Sequence, residues 1–224
     1  MGKPKYLTFP IILLADASEN LRACLNDAMD YCLYDRSLRI HGDMESAADD
    51  LGIRYGNIKE DFKNGKMLYE SIDAKCPKTS ISKDMILEFY KGKKSEFEII
   101  TFIAFAAIRS ILQIQAYKKI TNDYLITRMA GNSRIGESLP IWIDKYNNRY
   151  QLTKIKNELE LNWGLKIYSV RTRGYYVSFK LPQEKLCFEV LAKSEKAKRA
   201  KLNIQKAEAE ELAKQRLSAM LRDL

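Results

Sequence analysis

Residues 149–180 constrain the fold most, because a short helical pattern, a stop signal and a hairpin pattern follow one another there. Thr153 is of a type that caps helix N-termini, and Gly164 is a natural stop after the helix. Tyrosines, valine and phenylalanine then flank residues 171–174, whose glycine suits a tight turn. We therefore expect a helix capped by Thr153 and then a β-hairpin with two arginines at its tip. The expected apolar stripe of the helix is Ile155, Leu159 and Leu161.

The charged side chains of this stretch suit contact with a DNA duplex. A helix can bring lysine and asparagine to phosphates or base edges, and asparagine matches adenine with two hydrogen bonds. Arginines at a hairpin tip can bind phosphates or enter a minor groove. The alternative is a surface hairpin whose arginines are merely solvated. The predicted DNA contacts are Arg149, Lys154, Lys156, Asn157, Lys166, Arg171 and Arg173.

The order of helix, helix and two-stranded wing over residues 96–182 resembles the winged helix-turn-helix superfamily of DNA-binding proteins. The resemblance implies a helix in the major groove and a wing beside it. Lys154, Lys156 and Asn157 would then lie in the groove. The two arginines of the hairpin tip would lie on the backbone or in the minor groove.

Residues 44–62 resemble a helix-turn-helix. Ala48, Gly52 and Ile58 stand where that motif needs a small residue, a glycine and an aliphatic residue. The small residue lets two helices cross closely, and the glycine accepts a positive φ at the turn. The alternative is a helical pair used for packing or for partner contact, because acidic side chains precede the turn. The DNA contacts that the resemblance implies are Arg54, Asn57 and Lys59.

The net charge of +9 makes a polyanionic partner plausible. The charge is uneven, since residues 1–50 hold five basic and nine acidic side chains, or −4. The rest of the chain must then carry +13. We therefore expect the nucleic-acid surface to lie mostly outside the first 50 residues.

Residues 95–114 predict the strongest helix. Ser95 and Glu98 have the spacing of a capping box, in which each side chain satisfies the other residue's backbone N–H. Apolar side chains cover nearly the whole circumference, which is typical of a helix surrounded by protein. We expect it to be the central pillar of its domain. The alternative is a homodimer in which one side of residues 97–114 meets another copy.

The fold class expected is mainly α, with a small β-hairpin wing. Pro77 and neighbouring hydroxyl residues predict a linker at 77–82. It would separate an N-terminal helical domain, 1–76, which contains the helix-turn-helix-like segment, from a winged-helix-like domain, 83–182. Residues 183–224 lack glycine and proline and predict a long, basic amphipathic helix. Its coiled-coil-like seam predicts a homodimer as the alternative to a solvated single helix. The seam is Ala209, Ala213, Leu217, Met220 and Leu224.

Several classes of site are disfavoured. The four cysteines include no C-x-x-C pair, and His41 is the only histidine, so we expect no metal site. Buried free thiols suit a reducing compartment. Residues 131–136 lack the Lys-Ser/Thr pair of a phosphate-binding loop, and no Gly-x-Ser-x-Gly elbow occurs. We therefore expect no cofactor and no enzymatic activity.

The most apolar run, residues 99–108, is interrupted only by Thr101 and is too short to span a bilayer. We therefore expect a cytoplasmic protein without a membrane partner. The function expected is binding of double-stranded DNA in transcription regulation or in replication initiation of a mobile element. The alternative is a non-enzymatic protein–protein interaction module that uses the winged-helix scaffold and the C-terminal helix.

Overall fold

The structure, a computed structural model, describes residues 5–52, 57–169 and 173–220, except for the side chains of 212–220. Over these residues the chain is mainly helical, with two small antiparallel sheets and a long C-terminal helix. This confirms the coarse fold class expected from the sequence. The chain divides into two units, residues 1–180 and residues 181–224.

The first unit opens with a strand and a helical group that encloses it. Leu7 and Phe9 of the strand point into the core, and the exposed Thr8 alternates with them. A 3₁₀ turn, Ile11–Leu14, and a π-helical turn, Ser37–His41, lie at the two ends of the first helix. The elements are β1 (Tyr6–Pro10), α1 (Ala17–Arg36), α2 (Met44–Leu51), α3 (Ile58–Ser71) and β2 (Lys78–Ser82).

Residues 77–82 do not form the linker expected from their composition. Lys78–Ser82 is strand β2, which pairs antiparallel with β1 and places Ile81 opposite Leu7. Thr79 and Ile81 are buried, whereas Ser80 is half-buried. Buried and half-buried side chains thus alternate along Lys78–Ser82, as they do in a strand with one face on the core. Helices on both sides of this strand belong to one unit, so the expected division at 77–82 is wrong.

The remainder of the first unit contains a second sheet. Its strands are ordered β3-β5-β4, and every pairing is antiparallel. The hairpin that follows α8 therefore contributes two of the three strands. The elements are α4 (Lys83–Tyr90), α5 (Glu96–Leu112), β3 (Lys118–Ile120), α6 (Asn122–Met129), α7 (Ile141–Asp144), α8 (Arg149–Asn162), β4 (Lys166–Ser169) and β5 (Tyr175–Ser178).

Helix α5 is the central pillar, as its sequence predicts. Ser95 forms the expected capping box: its Oγ accepts from the Glu98 N–H at 3.3 Å, and its own N–H donates to the Glu98 carboxylate at 2.8 Å. From Ile99 to Leu112 every apolar side chain is buried, and Arg109 alone is partly exposed. Helices α6 and α8 and strand β2 pack around it. The apolar side chains of Ile99 to Leu112 are therefore used inside this unit, whereas Phe97 is half-buried and Ile114 is exposed. A homodimer through 97–114 stays a prediction.

The second unit is built on helix α9 (Gln183–Met220), which confirms the long C-terminal helix. Its side chains from residue 191 to residue 211 are exposed. Ala209 of the expected coiled-coil seam lies in this exposed part. The side chains of Ala213, Leu217 and Met220 and all of Leu224 lie outside the described residues, so a homodimer through this helix stays a prediction.

Candidate nucleic-acid interface

Helix α8 begins earlier than its sequence suggests. The cap is Asn148, whose side-chain oxygen accepts the N–H of Gln151 at 3.0 Å from an extended backbone conformation. The prediction that Thr153 is the cap is wrong. The Thr153 hydroxyl instead donates to the carbonyl of Arg149 at 2.7 Å, within the helix. The extra first turn makes Arg149 and Tyr150 helical residues.

The two faces of α8 differ in chemistry. Successive residues turn by about 100° around a helix. Leu152, Ile155 and Leu159 therefore share one side, and all three are buried. Leu161, expected in the apolar stripe, is 80% exposed and lies on the opposite side. We call that side the open face of α8; it consists of Tyr150, Thr153, Lys154, Asn157 and Leu161, all exposed.

The open face carries no acidic side chain. Glu158 and Glu160 lie at its two margins, and both are half-buried. Tyr150, at 75% exposure, is a surface aromatic that the sequence interpretation missed. Tyr150 precedes Lys154 by four residues and Asn157 by seven, which places all three on one side of a helix. That signal is visible only when the helix is taken to begin after an Asn148 cap.

Three of the predicted contacts on α8 are accessible. Arg149 is exposed in the first turn, and Asn157 is exposed in the middle of the helix. The Lys154 ammonium lies 4.5 Å from the ring centroid of Phe97 on α5 and is exposed to solvent. This contact orients the lysine without removing its charge from the surface.

Lys156, in contrast, does not project from the open face. Its ammonium lies 4.5 Å from the ring centroid of Tyr175 and 3.4 Å from the side-chain oxygen of Asn122. Burial lowers the pKa of this lysine, because the charged form loses hydration. The expectation that Lys156 lies in a groove is therefore corrected: its cation packs between α8, α6 and β5.

The β4–β5 hairpin places its cations differently. Lys166 is half-buried and lies opposite Ser178 in the sheet. Arg173 is exposed at the base of β5, and its guanidinium lies 3.6 Å from the carboxylate of Asp123, in the first turn of α6. Such exposed pairs hold weakly, so Arg173 can exchange this partner for another anion. Arg171 lies outside the described residues.

Gly174 ends the turn of the hairpin for a steric reason. Its φ is +93°, and a Cβ at this position would lie 2.6 Å from the carbonyl oxygen of Ile120 on β3. Only glycine fits this conformation and this close approach. The backbone at Gly174 therefore lies directly against strand β3, with Arg173 next to it in sequence.

The outer side of the same sheet holds further tyrosine and lysine residues. Lys119, Tyr176 and Tyr168 face one another across the three strands. The Lys119 ammonium lies 5.9 Å from the Tyr176 ring centroid. The sequence interpretation did not single out Lys119, because its place beside the hairpin depends on the pairing of β3 with β5.

The helix-turn-helix-like segment offers fewer accessible cations. Asn57 caps α3, and its amide nitrogen donates to the Glu60 carboxylate at 2.9 Å. Its amide is thus used within the helix start, rather than offered to a groove. Lys59 is exposed, and Arg54 lies outside the described residues. Two carboxylates, Glu60 and Asp61, occupy the first turn of α3, which makes this end less suited to phosphate.

Asp50, one of the acids before the motif's turn, is partly neutralised. Its carboxylate lies 3.0 Å from the Arg36 guanidinium and 3.3 Å from Nε2 of His41. Gly52 ends α2 with a φ of +62°, as the motif predicts for its glycine. The carbonyl of Gly52 accepts a hydrogen bond from the Lys83 ammonium. These contacts fix α2 against its neighbours.

The cysteines show no reactive arrangement in the part of the chain that the structure describes. Cys24 and Cys32 are buried, and all four thiols are free. Burial raises the pKa of Cys24 to about 11 and raises the pKa of Cys32 as well, so both stay protonated. Across residues 5–52, 57–169 and 173–220 no group of three or more His, Cys, Asp or Glu side chains could hold a metal ion.

No helix within the described ranges has the length and apolar character to cross a bilayer. In comparisons with known proteins, no family model, curated protein or solved structure matches this chain.

Proposed function

We propose that this protein binds double-stranded DNA as a winged helix-turn-helix protein, through the open face of α8 and the β4–β5 hairpin. The order of elements supports the proposal, because α8 runs directly into the hairpin. Helix α8 packs against α5, and the hairpin strand β5 pairs with β3. Helix α8 would enter the major groove, and the hairpin would lie on the neighbouring backbone or minor groove. Transcription regulation and replication initiation are the settings in which such a protein would act, by analogy of fold alone.

The observation that carries the proposal is the chemistry of the open face. Lys154 supplies a cation, Asn157 and Thr153 supply hydrogen-bonding groups, and Tyr150 supplies an aromatic surface, with no acid among them. Residues 149–180 hold seven basic and two acidic side chains, a net charge of +5. Phosphates attract such a surface, while amide and hydroxyl groups can reach base edges.

The test is a titration of random-sequence duplex DNA of about 25 base pairs, followed by fluorescence anisotropy at low salt. A variant with Lys154→Gln and Asn157→Ala removes one charge and one amide from the open face. We expect its affinity to fall at least about 10-fold, since each of the two lost phosphate or base contacts contributes about 1 kcal/mol or more. The matched control is Lys75→Gln with Asn26→Ala, which changes the same residue types at exposed positions elsewhere.

Two results would overturn the proposal. One is a wild-type protein that shows no salt-dependent binding to the duplex at low salt. The other is an open-face variant that binds as tightly as the matched control. Circular dichroism of both variants establishes that loss of binding is not loss of folding.

A protein–protein interaction module is the second candidate, and a specific observation favours it. Tyr150 and Leu161 are large apolar side chains on the open face, and each is at least three-quarters exposed. Exposed apolar residues in one patch are typical of protein interfaces. The two candidates differ in salt dependence: DNA binding weakens steeply with salt, whereas an apolar interface does not.

A further inference from the structure

We infer that residues 193–206 of α9, here called the basic segment, form a second nucleic-acid contact that binds phosphates without reading sequence. The inference rests on the proposed function and extends it from the first unit to the second. The proposed function gives helix α9 no role, and the inference assigns duplex DNA to it as a partner.

The basic segment has a concentrated positive charge. It holds six basic side chains and one acidic side chain, a net charge of +5. All of its residues are exposed. The structure records one ion pair within it, between Lys198 and Glu195 at 3.0 Å. The basic residues are Lys193, Lys196, Lys198, Arg199, Lys201 and Lys206.

The distribution of this charge disfavours a lipid surface. A helix that lies on a membrane needs an apolar face opposite its basic face. The large apolar side chains of the basic segment are Leu202 and Ile204, which are two residues apart. They therefore point about 200° apart around the helix, on opposite sides. The amphipathic character expected from the sequence is absent from this segment, so no side of it suits the interior of a bilayer.

The same distribution disfavours a coiled coil through the basic segment. A coiled-coil seam needs apolar residues at repeated positions on one stripe. Each residue turns the helix by about 100°. Glu195, Arg199 and Lys206 therefore lie on the same stripe as Leu202. Like charges brought together along such a seam would repel a second copy. A polyanion, in contrast, needs only cations, and every half of the helix circumference holds at least two of them.

The length of the basic segment fits a phosphate backbone. At about 1.5 Å per residue it extends about 21 Å, which is about six base pairs at 3.4 Å per step. A helix with exposed cations on one side can therefore meet several phosphates of one duplex. Three glutamates follow at positions 208, 210 and 211, so the positive stretch ends sharply.

The experiment uses the full chain with four substitutions in α9: Lys196→Gln, Lys198→Gln, Arg199→Gln and Lys201→Gln. Glutamine keeps a helix propensity close to that of lysine and arginine. We measure binding to a random 40-base-pair duplex over a range of salt concentrations. The affinity at low salt should fall at least 10-fold, and the slope of log K against log salt should become shallower by about 2 to 3.

The matched control carries the same reduction of charge on exposed lysines of the first unit: Lys63→Gln, Lys66→Gln, Lys75→Gln and Lys91→Gln. Its slope should change by less than that of the α9 variant. Equal reductions of affinity in both variants would mean that only the net charge matters, and would overturn the inference. An α9 variant with the wild-type slope would also overturn it.

The outcome separates this inference from the proposed function. If the α9 variant keeps its slope while the open-face variant of α8 loses affinity, the inference alone fails. If the α9 variant loses affinity while the open-face variant binds normally, the inference holds and the assignment of α8 fails. Wild-type protein that binds vesicles of phosphatidylserine and phosphatidylcholine, but no duplex, would overturn both.

Discussion

The ammonium of Lys156 lies 4.5 Å from the ring centroid of Tyr175 and joins helix α8 to strand β5. Tyr175 is buried, and Lys156 is half-buried. The amide oxygen of Asn122, at 3.4 Å, accepts a hydrogen bond from the same ammonium. One cation thus connects the start of α6, the middle of α8 and the hairpin. The angle between helix and hairpin, on which a joint DNA surface depends, is held in part by this side chain.

Replacement of Lys156 by alanine should destabilise the fold by about 1 to 2 kcal/mol, because it removes a partly desolvated cation–π contact and the packing of the aliphatic stem. The measurement is urea unfolding followed by circular dichroism. Lys154→Ala is the control, and it should destabilise the fold by only about 0.5 kcal/mol, as expected for an exposed contact. DNA affinity should show the reverse order, with the larger decrease for Lys154→Ala. The same order in both measurements would contradict the structural role of Lys156.

Gly65 marks the crossing of α1 and α3. A Cβ at this position would overlap the backbone carbonyl of Asp30 and approach the Cβ of Tyr34 to 3.2 Å. We expect Gly65→Ala to destabilise the protein by about 2 kcal/mol or more, because backbone cannot move aside as a side chain can. Lys66→Ala, at an exposed position of the same helix, should change stability by less than about 0.5 kcal/mol. Thermal and urea unfolding of both variants test this, and equal stability would refute the close crossing.

Signals that are local in sequence predicted their elements well. The capping box of Ser95 and Glu98 is formed as its spacing predicts. Gly164 follows the end of α8 with a φ of +71°, as a helix stop requires. Each of these depends on residues within one or two turns. The hydrogen bonds and backbone conformations that stabilise these helix ends therefore involve only residues close together in sequence.

Features that depend on distant residues were missed. The strand Lys78–Ser82 has the composition of a linker, and its character becomes evident only beside Leu7 and Phe9 of β1. The packed position of Lys156 depends on Tyr175, which belongs to a strand formed after α8. Helix starts are also ambiguous where several capping residues occur close together, as with Asn148 and Thr153. With Asn148 as the cap, Tyr150 becomes a helical residue and joins the open face; with Thr153 as the cap it does not.

Asp30 is a buried carboxyl whose titration should affect stability. Burial raises its pKa to about 6, against the lowering effect of a hydrogen bond from the Asn64 amide at 2.8 Å. The folded state therefore holds a proton on Asp30 at pH values where the unfolded chain, with a pKa of 3.8, has lost it. This contribution to stability is full below pH 3.8 and is lost as pH rises through about 6.

We expect Asp30→Asn to be more stable than the wild type at pH 7.5, by about 1 kcal/mol, because it removes a buried charge and keeps an acceptor for Asn64. At pH 4.5 the difference should shrink, since the wild-type carboxyl is then protonated. Urea unfolding at both pH values gives the comparison. Asp73→Asn, at an exposed position, is the control and should show no such pH-dependent gain. A constant difference between the two pH values would refute the raised pKa.

Substitution of the hairpin arginines separates the contribution of the wing to DNA binding from that of helix α8. Replacement of both Arg171 and Arg173 by alanine should weaken duplex binding several-fold on every sequence, because phosphate contacts carry no sequence information. The salt slope should become shallower by about 1 for each phosphate that the variant no longer neutralises. Asp123→Asn is the matched counterpart, since Asp123 is the carboxylate 3.6 Å from the Arg173 guanidinium. It should raise affinity at low salt, as it removes a competing anion and leaves both arginines in place. Anisotropy titrations at several salt concentrations measure both effects, and an arginine variant with unchanged affinity and slope would remove the hairpin from the DNA surface.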